Sequence, residues 1–312
     1  MLLKALLCFV ALSFWLAWHM WSDFLIRGYR IIYYSLTRAQ GSLSHSGAHL
    51  PNITLCKKAV KLDLKNYRKY AEVCGYKSTS KFPICYPETY FSGLVIDILT
   101  HRDFALSPLG VIHIRQTMKQ HLLISPEDTS KTYNLTAKLV EYRTVDKGIE
   151  IDINMEVKNE KEALVWDSLG TFLSRNKATV RRQEKRPTAV TNRRESTTVE
   201  HRRIDVQANC GVEYAKVSGD INPHHLYPFT ARLLGYPKPI AHGMWTVSRV
   251  FAEMFEARGV TVTETKINFK RPLFMPGRIV LQFTEADSNV VSFRVESADT
   301  GEPNLIGQAT IA

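Results

Sequence analysis

From Val260 onward apolar and polar residues alternate with a period of two, through VTVTETKINF, GRIVLQFTEA, NVVSFRVESA and NLIGQATIA, with turn-forming MPG, ADSN and DTGEP between them. Such alternation turns the apolar side chains of a strand to one face, so this run predicts a four-stranded antiparallel sheet. The same rhythm fills residues 111–173 as VIHIRQTMKQ, YNLTAKLVEYRTV, GIEIDINMEV and EALVWDSLGTFL. A stretch with helix-like apolar spacing precedes each set: TYFSGLVIDILTH after Pro87 and AHGMWTVSRVFAEMFEAR after Pro239. Each half therefore reads as a helix wrapped by an antiparallel sheet, an α+β unit used twice.

A short internal match strengthens the duplication. YAEVCGY at Tyr70–Tyr76 runs in register with YAKVSGD at Tyr214–Asp220, and Tyr, Ala, Val and Gly recur at equivalent positions. Two copies of similar length suggest sheets that pair side by side within one chain, as two subunits of a dimer would.

The pattern differs at the amino end. Residues 5–18, ALLCFVALSFWLAW, are apolar apart from Ser13, and HMWSDFLI extends the run to Arg27. That is long enough for a bilayer, and Trp15, Trp18 and Trp21 suit a headgroup belt. No small-x-small cleavage site follows, so the expectation is an uncleaved transmembrane helix at 1–26. Lys4 alone precedes the run, whereas Arg27, Arg30 and Arg38 follow it. The positive-inside rule then orients such a single-pass protein with its body cytosolic, the endoplasmic reticulum being one membrane that fits. Residues 27–55 read as a juxtamembrane segment, 56–174 as the first α+β unit, 175–203 as a linker and 204–312 as the second unit.

Charge sharpens only part of this picture. The chain carries a formal net charge of +11, and the linker holds ten Lys or Arg against three Glu. No aromatic interleaving or binding module accompanies that charge, so nucleic acid is not expected as a partner. A solvated connector is the plain reading, with attraction to anionic headgroups or ligand phosphates the sharper one. Five cysteines form no CxxC pair and no metal-ligand spacing with histidine. Neither a metal nor a disulfide framework is expected.

Candidate chemistry concentrates in YAKVSGDINPHH, Tyr214–His225. Pro223 stiffens the turn and pushes Asn222 toward extended backbone. A carboxylate and an imidazole brought together there can hold a water, Asp220 orienting it and His225 taking its proton. The alternative is an Asx-type turn in which Asp220 and Asn222 cap backbone amides and His225 is decoration.

The longer string YAKVSGDINPHHLYPFTARLLGYPKPIAHGM resembles the signature of the MaoC-like dehydratases, also called hydratase 2 or (R)-specific enoyl-CoA hydratases. Tyr214, Ala215, Ser218, Gly219, Asp220, Asn222, Pro223 and His225 fall in register, and Ala241, His242, Gly243 and Met244 supply the second element. The resemblance implies a double hot-dog fold and the hydration of trans-2-enoyl thioesters, or the reverse dehydration of (R)-3-hydroxyacyl thioesters, on CoA or acyl carrier protein. Asp220 and His225 would be the catalytic pair and Asn222 and Ser218 their supports. Gly243 and His242 would bind substrate, a backbone amide near Gly243 donating to the thioester carbonyl. No cofactor is implied, and a homodimer is compatible with it. In the first copy Tyr76 stands for Asp220 and Lys81 for His225, so that half is expected to serve as scaffold, giving one site per chain. His224 departs from the family's aliphatic residue and reads as an outward-facing bystander. Two other classes stay open: a hot-dog acyl thioesterase, because fold does not fix chemistry, and a non-catalytic acyl-thioester or lipid binder.

Overall fold

The computed structural model of the chain describes residues 26–43, 50–78, 80–126, 130–176, 200–285 and 289–312. The anchor expected at 1–26 therefore lies, but for Ile26, outside the described residues, as do positions 177–199 of the expected linker. Among the described residues no helix is long and apolar enough to cross a membrane.

Helix α1 (residues 26–37) leads to strand β1 (Thr54–Lys61), helix α2 (Leu64–Cys74), a 3-10 turn at Pro87–Tyr90 and helix α3 (Ser92–Leu99). Strands β2 (Val111–Gln120), β3 (Thr132–Val145), β4 (Gly148–Asn159) and β5 (Leu164–Arg175) complete the first half. The second half begins with β6 (Glu200–Val206), α4 (Cys210–Ser218), a 3-10 turn at Pro223–His225, α5 (Pro228–Leu233) and α6 (Gly243–Phe255). It closes with β7 (Val262–Phe269), β8 (Gly277–Glu285), β9 (Val290–Ser297) and β10 (Pro303–Ile311).

All ten strands form one antiparallel sheet in the order β1-β3-β4-β5-β2-β7-β10-β9-β8-β6. The second half of that order is the first half reversed. The halves meet where β2 pairs β7, Arg115 opposite Asn268 through Lys119 opposite Glu264. One hydrophobic core runs through both, from Tyr67, Phe91 and Trp166 to Trp245, Phe251 and Phe293. The helices interlock across the seam by side chain to backbone bonds. Asn66 Nδ2 donates to the Val217 carbonyl at 2.9 Å, Ser92 Oγ to Ser218 at 2.7 Å, and Trp245 Nε1 to Val73 at 3.0 Å.

The eight alternating runs all become strands, but β1 and β6 were not expected. Both are edge strands with mainly exposed side chains, so only Ile204 and Val206 of β6 report the core. Charged residues on an edge strand oppose pairing with another chain, and in sequence such a strand reads as a linker. The interval between the halves accordingly ends at Glu200, inside the span assigned to the linker, and β1 begins at Thr54, inside the span assigned to the juxtamembrane segment.

Candidate active site

The motif's local structure follows from its glycine and proline. Helix α4 stops because Gly219 takes φ +71°, its amide returning to the Ala215 carbonyl at 2.9 Å; this left-handed cap suits glycine. The Asp220 amide then donates to Ser218 Oγ, and the Asn222 amide to Asp220 Oδ1, each at 3.2 Å. Asn222 is extended ahead of Pro223, and the 3-10 turn carries His225 inward until its Nδ1 reaches the Ile240 carbonyl at 2.7 Å. His242, just before α6, sends its Nε2 to the Asp220 backbone carbonyl at 2.9 Å and lies 3.9 Å from Asp220 Oδ2. The His225 and His242 rings stack with centroids 3.7 Å apart, and Tyr214 packs on His242 at 5.0 Å.

Those partners fix where the protons sit. A carbonyl only accepts, so His225 Nδ1 and His242 Nε2 each carry a proton, leaving lone pairs on His225 Nε2 and His242 Nδ1. The latter is buried without a hydrogen-bond partner among the described residues. Burial holds both rings neutral: His225 is pushed down to about 3, with His242 adding to the effect, and His242 is also lowered, although Asp220 opposes both shifts. For Asp220 burial favours the neutral acid, but His242, His225 and the Asn222 amide outweigh it and hold the carboxyl below its usual range. Its side chain is 40% exposed, against 2% for His242, so the carboxylate remains reachable while the imidazoles are shielded.

Asp220, His225, His242 and Gly243 line one cavity of about 560 Å³. Gly243 opens α6, and the first amides of a helix lack intrahelical acceptors and sit at its positive end. A Cβ there would lie 2.7 Å from Phe269 Cε1, so the position excludes a side chain. The ligating atoms of Asp220, His225 and His242 fall within 4.8 Å of one another, a spacing able to span a cation. The same carboxylate and imidazole lone pair equally satisfy a water.

The expected residues are thus gathered, with differences of detail. Ser218 supports the turn through its hydroxyl, whereas Asn222 does so through its backbone amide, its side chain being exposed. His224 is no outward bystander: its ring packs edge-on against His225 at 4.0 Å and tilted against Tyr236 at 5.5 Å. Burial and the neighbouring His225 push it down to about 3. In the first copy Tyr76 accepts from Ser248 Oγ and Lys81 is exposed. That half nevertheless supplies Glu88, His113 and Phe172 to the cavity wall. Glu88 and His113 lie outside the duplicated motif, and only the fold shows that they face it.

Three comparisons bear on this arrangement. Residues 184–303 match the family model described as MaoC like domain. The chain is 28% identical over 240 residues to 3-hydroxyacyl-thioester dehydratase X of Mycobacterium tuberculosis (strain ATCC 25618 / H37Rv), covering 76% of this chain and 82% of that one. Its fold matches the crystal structure of HtdX of M. tuberculosis with a TM-score of 0.67 at 24% identity, over 82% of this chain and 99% of that one. It also matches an M. tuberculosis protein described as having a double hotdog fold, with a TM-score of 0.54 at 11% identity, over 89% and 98% of the two chains.

Proposed function

Starting from a MaoC-like domain at residues 184–303, we propose that the chain interconverts trans-2-enoyl thioesters and (R)-3-hydroxyacyl thioesters by adding or removing water. The observation that carries this reading is a carboxylate, Asp220, beside an imidazole whose unprotonated Nε2 is fixed by the Nδ1 to Ile240 bond, both on one cavity. A water between them loses a proton to the pair as its oxygen bonds to C3. The C2–C3 π electrons move toward the thioester carbonyl, and C2 then takes a proton from the pair. A first-turn amide of α6 at Gly243 donates to the carbonyl oxygen, where negative charge develops. Dehydration runs the same steps in reverse. The 3-hydroxyacyl-thioester dehydratase relative supports this reaction class.

Lys147, Arg175, Lys270 and Arg271 line the same cavity and suit the phosphates of a carrier, CoA or acyl carrier protein. Incubating the purified chain with crotonyl-CoA and longer enoyl-CoAs is expected to consume enoyl absorbance and yield the 3-hydroxyacyl product. Release of free thiol without enoyl consumption would replace this reading with a thioesterase. Binding with neither reaction would leave a non-catalytic acyl-thioester binder.

We also infer that the chain is held at a membrane, with a cytosolic body, in a compartment such as the endoplasmic reticulum. Support comes from α1, where Arg27, with Arg38 just past the helix end, binds the body while several large apolar and aromatic side chains face outward. Arg27 forms a two-pronged pair with Asp97 on α3 at 2.9 and 2.8 Å, and Arg38 reaches the His101 carbonyl at 2.7 Å. Tyr29, Ile32, Tyr33 and Leu36 face outward, Leu36 being 82% exposed, immediately after the apolar residues 5–26. The chain is expected to stay in the membrane pellet after an alkaline carbonate wash of cells expressing it; full release into the supernatant would end this inference.

A further inference from the structure

The wall contributed by the first half sets polar groups among its apolar ones, where an acyl chain alone would need only apolar contact. Glu88, in the 3-10 turn before α3, and His113, on β2, line the cavity, with Gln116 and Ser168 behind them. Gln116 Nε2 donates to Glu88 Oε2 at 3.2 Å and also to Ser168 Oγ, whose own proton goes to the Thr117 carbonyl at 2.9 Å. Glu88 Oε2 is therefore an acceptor, and Glu88 Oε1 has no partner among the described residues. His113 donates from Nε2 to the Arg115 carbonyl at 2.9 Å, which leaves its Nδ1 as a lone-pair acceptor. Its ring lies between Phe172 and Phe269, at 4.7 and 4.8 Å, and Phe269 is the ring that bars a side chain from Gly243. This wall thus begins one side chain away from the proposed carbonyl-binding amide.

We propose that Glu88 and His113 form a subsite for an oxygen substituent, a hydroxyl above all, carried on the acyl chain beyond the reacting C2–C3 bond. Burial raises the Glu88 carboxyl to about 8, so at neutral pH its proton sits on Oε1 and can be donated. Burial likewise lowers His113 to about 4, against the opposing pull of the Gln116 side chain and the Arg115 carbonyl, so the ring is neutral and Nδ1 bears a lone pair. A hydroxyl can accept from Glu88 or donate to His113. A methylene satisfies neither and leaves two polar groups desolvated, so the wall selects for oxygen on the chain rather than for chain length alone. This inference rests on the hydratase reading for its substrate class, while Glu88 takes no part in the steps at Asp220 and His225.

The test compares the full-length chain on pairs of trans-2-enoyl-CoAs of equal length, one plain and one hydroxylated at a single position from C5 to C9. At least one hydroxylated member is expected to exceed its plain partner in kcat/KM by roughly threefold to tenfold, the size of one net hydrogen bond. Glu88→Gln keeps a neutral donor and acceptor and should keep that ratio, whereas Glu88→Leu should bring it to unity or invert it. Raising the pH through about 8 ionises Glu88 and should erode the ratio in the native chain but not in Glu88→Gln. Calorimetric binding of the saturated acyl-CoA pairs reads the same preference without turnover, so a failed hydratase assay does not hide the answer. Equal ratios across every pair, in turnover and in binding, would overturn the subsite, as would a preference that survives Glu88→Leu. If Glu88→Leu does not fold, the pH arm and Glu88→Gln still decide.

Discussion

Replacing Asp220 with asparagine is expected to lower kcat/KM for an enoyl thioester by about 10²- to 10⁴-fold, the range for losing a positioned acid or base, while the thermal midpoint stays near that of the native chain. The carboxamide can still accept the Asn222 amide through its oxygen, and the His242 bond goes to the Asp220 backbone carbonyl, so the turn has no cause to open. What disappears is the negative charge beside His225 and one of the two groups that share the water's proton. His225→Ala is expected to cost a similar factor, and the double variant little more than either single one, because the two groups act as a unit. Near-native turnover by Asp220→Asn would show that the reaction does not run through this pair.

The pH dependence of that activity has a definite sign. Asp220 sits below the usual carboxylate range and both stacked histidines are lowered, so the working charge state, an anion beside neutral imidazoles, persists well below neutrality. Stability gives way earlier. His225, at about 3 in the folded chain, cannot take the proton that it binds near 6.5 when unfolded, so stability contributed by the neutral ring is present above about 6.5 and falls as pH drops toward 3. Activity lost on the acid side is therefore expected to coincide with unfolding, measured by circular dichroism, rather than with titration of the pair.

How much of this was legible in the sequence depends on which face of the chain carried the signal. Strands β2 to β5 and β7 to β10 bury one face, so their alternation is plain, whereas β1 and β6 expose Lys57, Lys58, Arg202 and Arg203 along the sheet edges and look like connectors. Within the site, Asp220, His225, His242 and Gly243 belong to two contiguous strings and could be placed by the family resemblance those strings carry. Glu88 and His113 could not: Glu88 lies about 130 residues before Asp220 in the chain, and the two reach the cavity only because β2 pairs β7 and α3 mirrors α6. The duplicated turn showed what the first half lacks, and nothing local could show what it adds. His224 was misplaced for a related reason, since the Tyr236 ring that packs on it belongs to the loop after α5.

Gly211→Ala is expected to damage both stability and activity without touching any reactive group. Gly211 lies in the first turn of α4, where an alanine would ordinarily favour the helix by about 1 kcal/mol. Here the added Cβ would stand 1.9 Å from the His225 carbonyl oxygen, 3.0 Å from the His225 carbonyl carbon and 2.8 Å from Met275 Cε. The methionine can swing away, but the His225 carbonyl is backbone, held by the His225 amide bond to Asn222 at 3.0 Å and by the ring's bond to Ile240 at 2.7 Å. The clash can be relieved only by moving α4 or the turn that carries His225. Overpacking of this kind costs about 1–3 kcal/mol, and at about 2–4 °C per kcal/mol for a chain of this size the midpoint should fall by several degrees. A shift of about 1 Å in the His225 ring should cost a further 10²-fold in turnover. Gly28→Ala, on α1 with nothing within 4 Å of its added Cβ, is the matched control and should leave turnover unchanged and the midpoint no lower than native. A Gly211→Ala chain with native midpoint and turnover would mean that the catalytic turn does not depend on its close approach to α4.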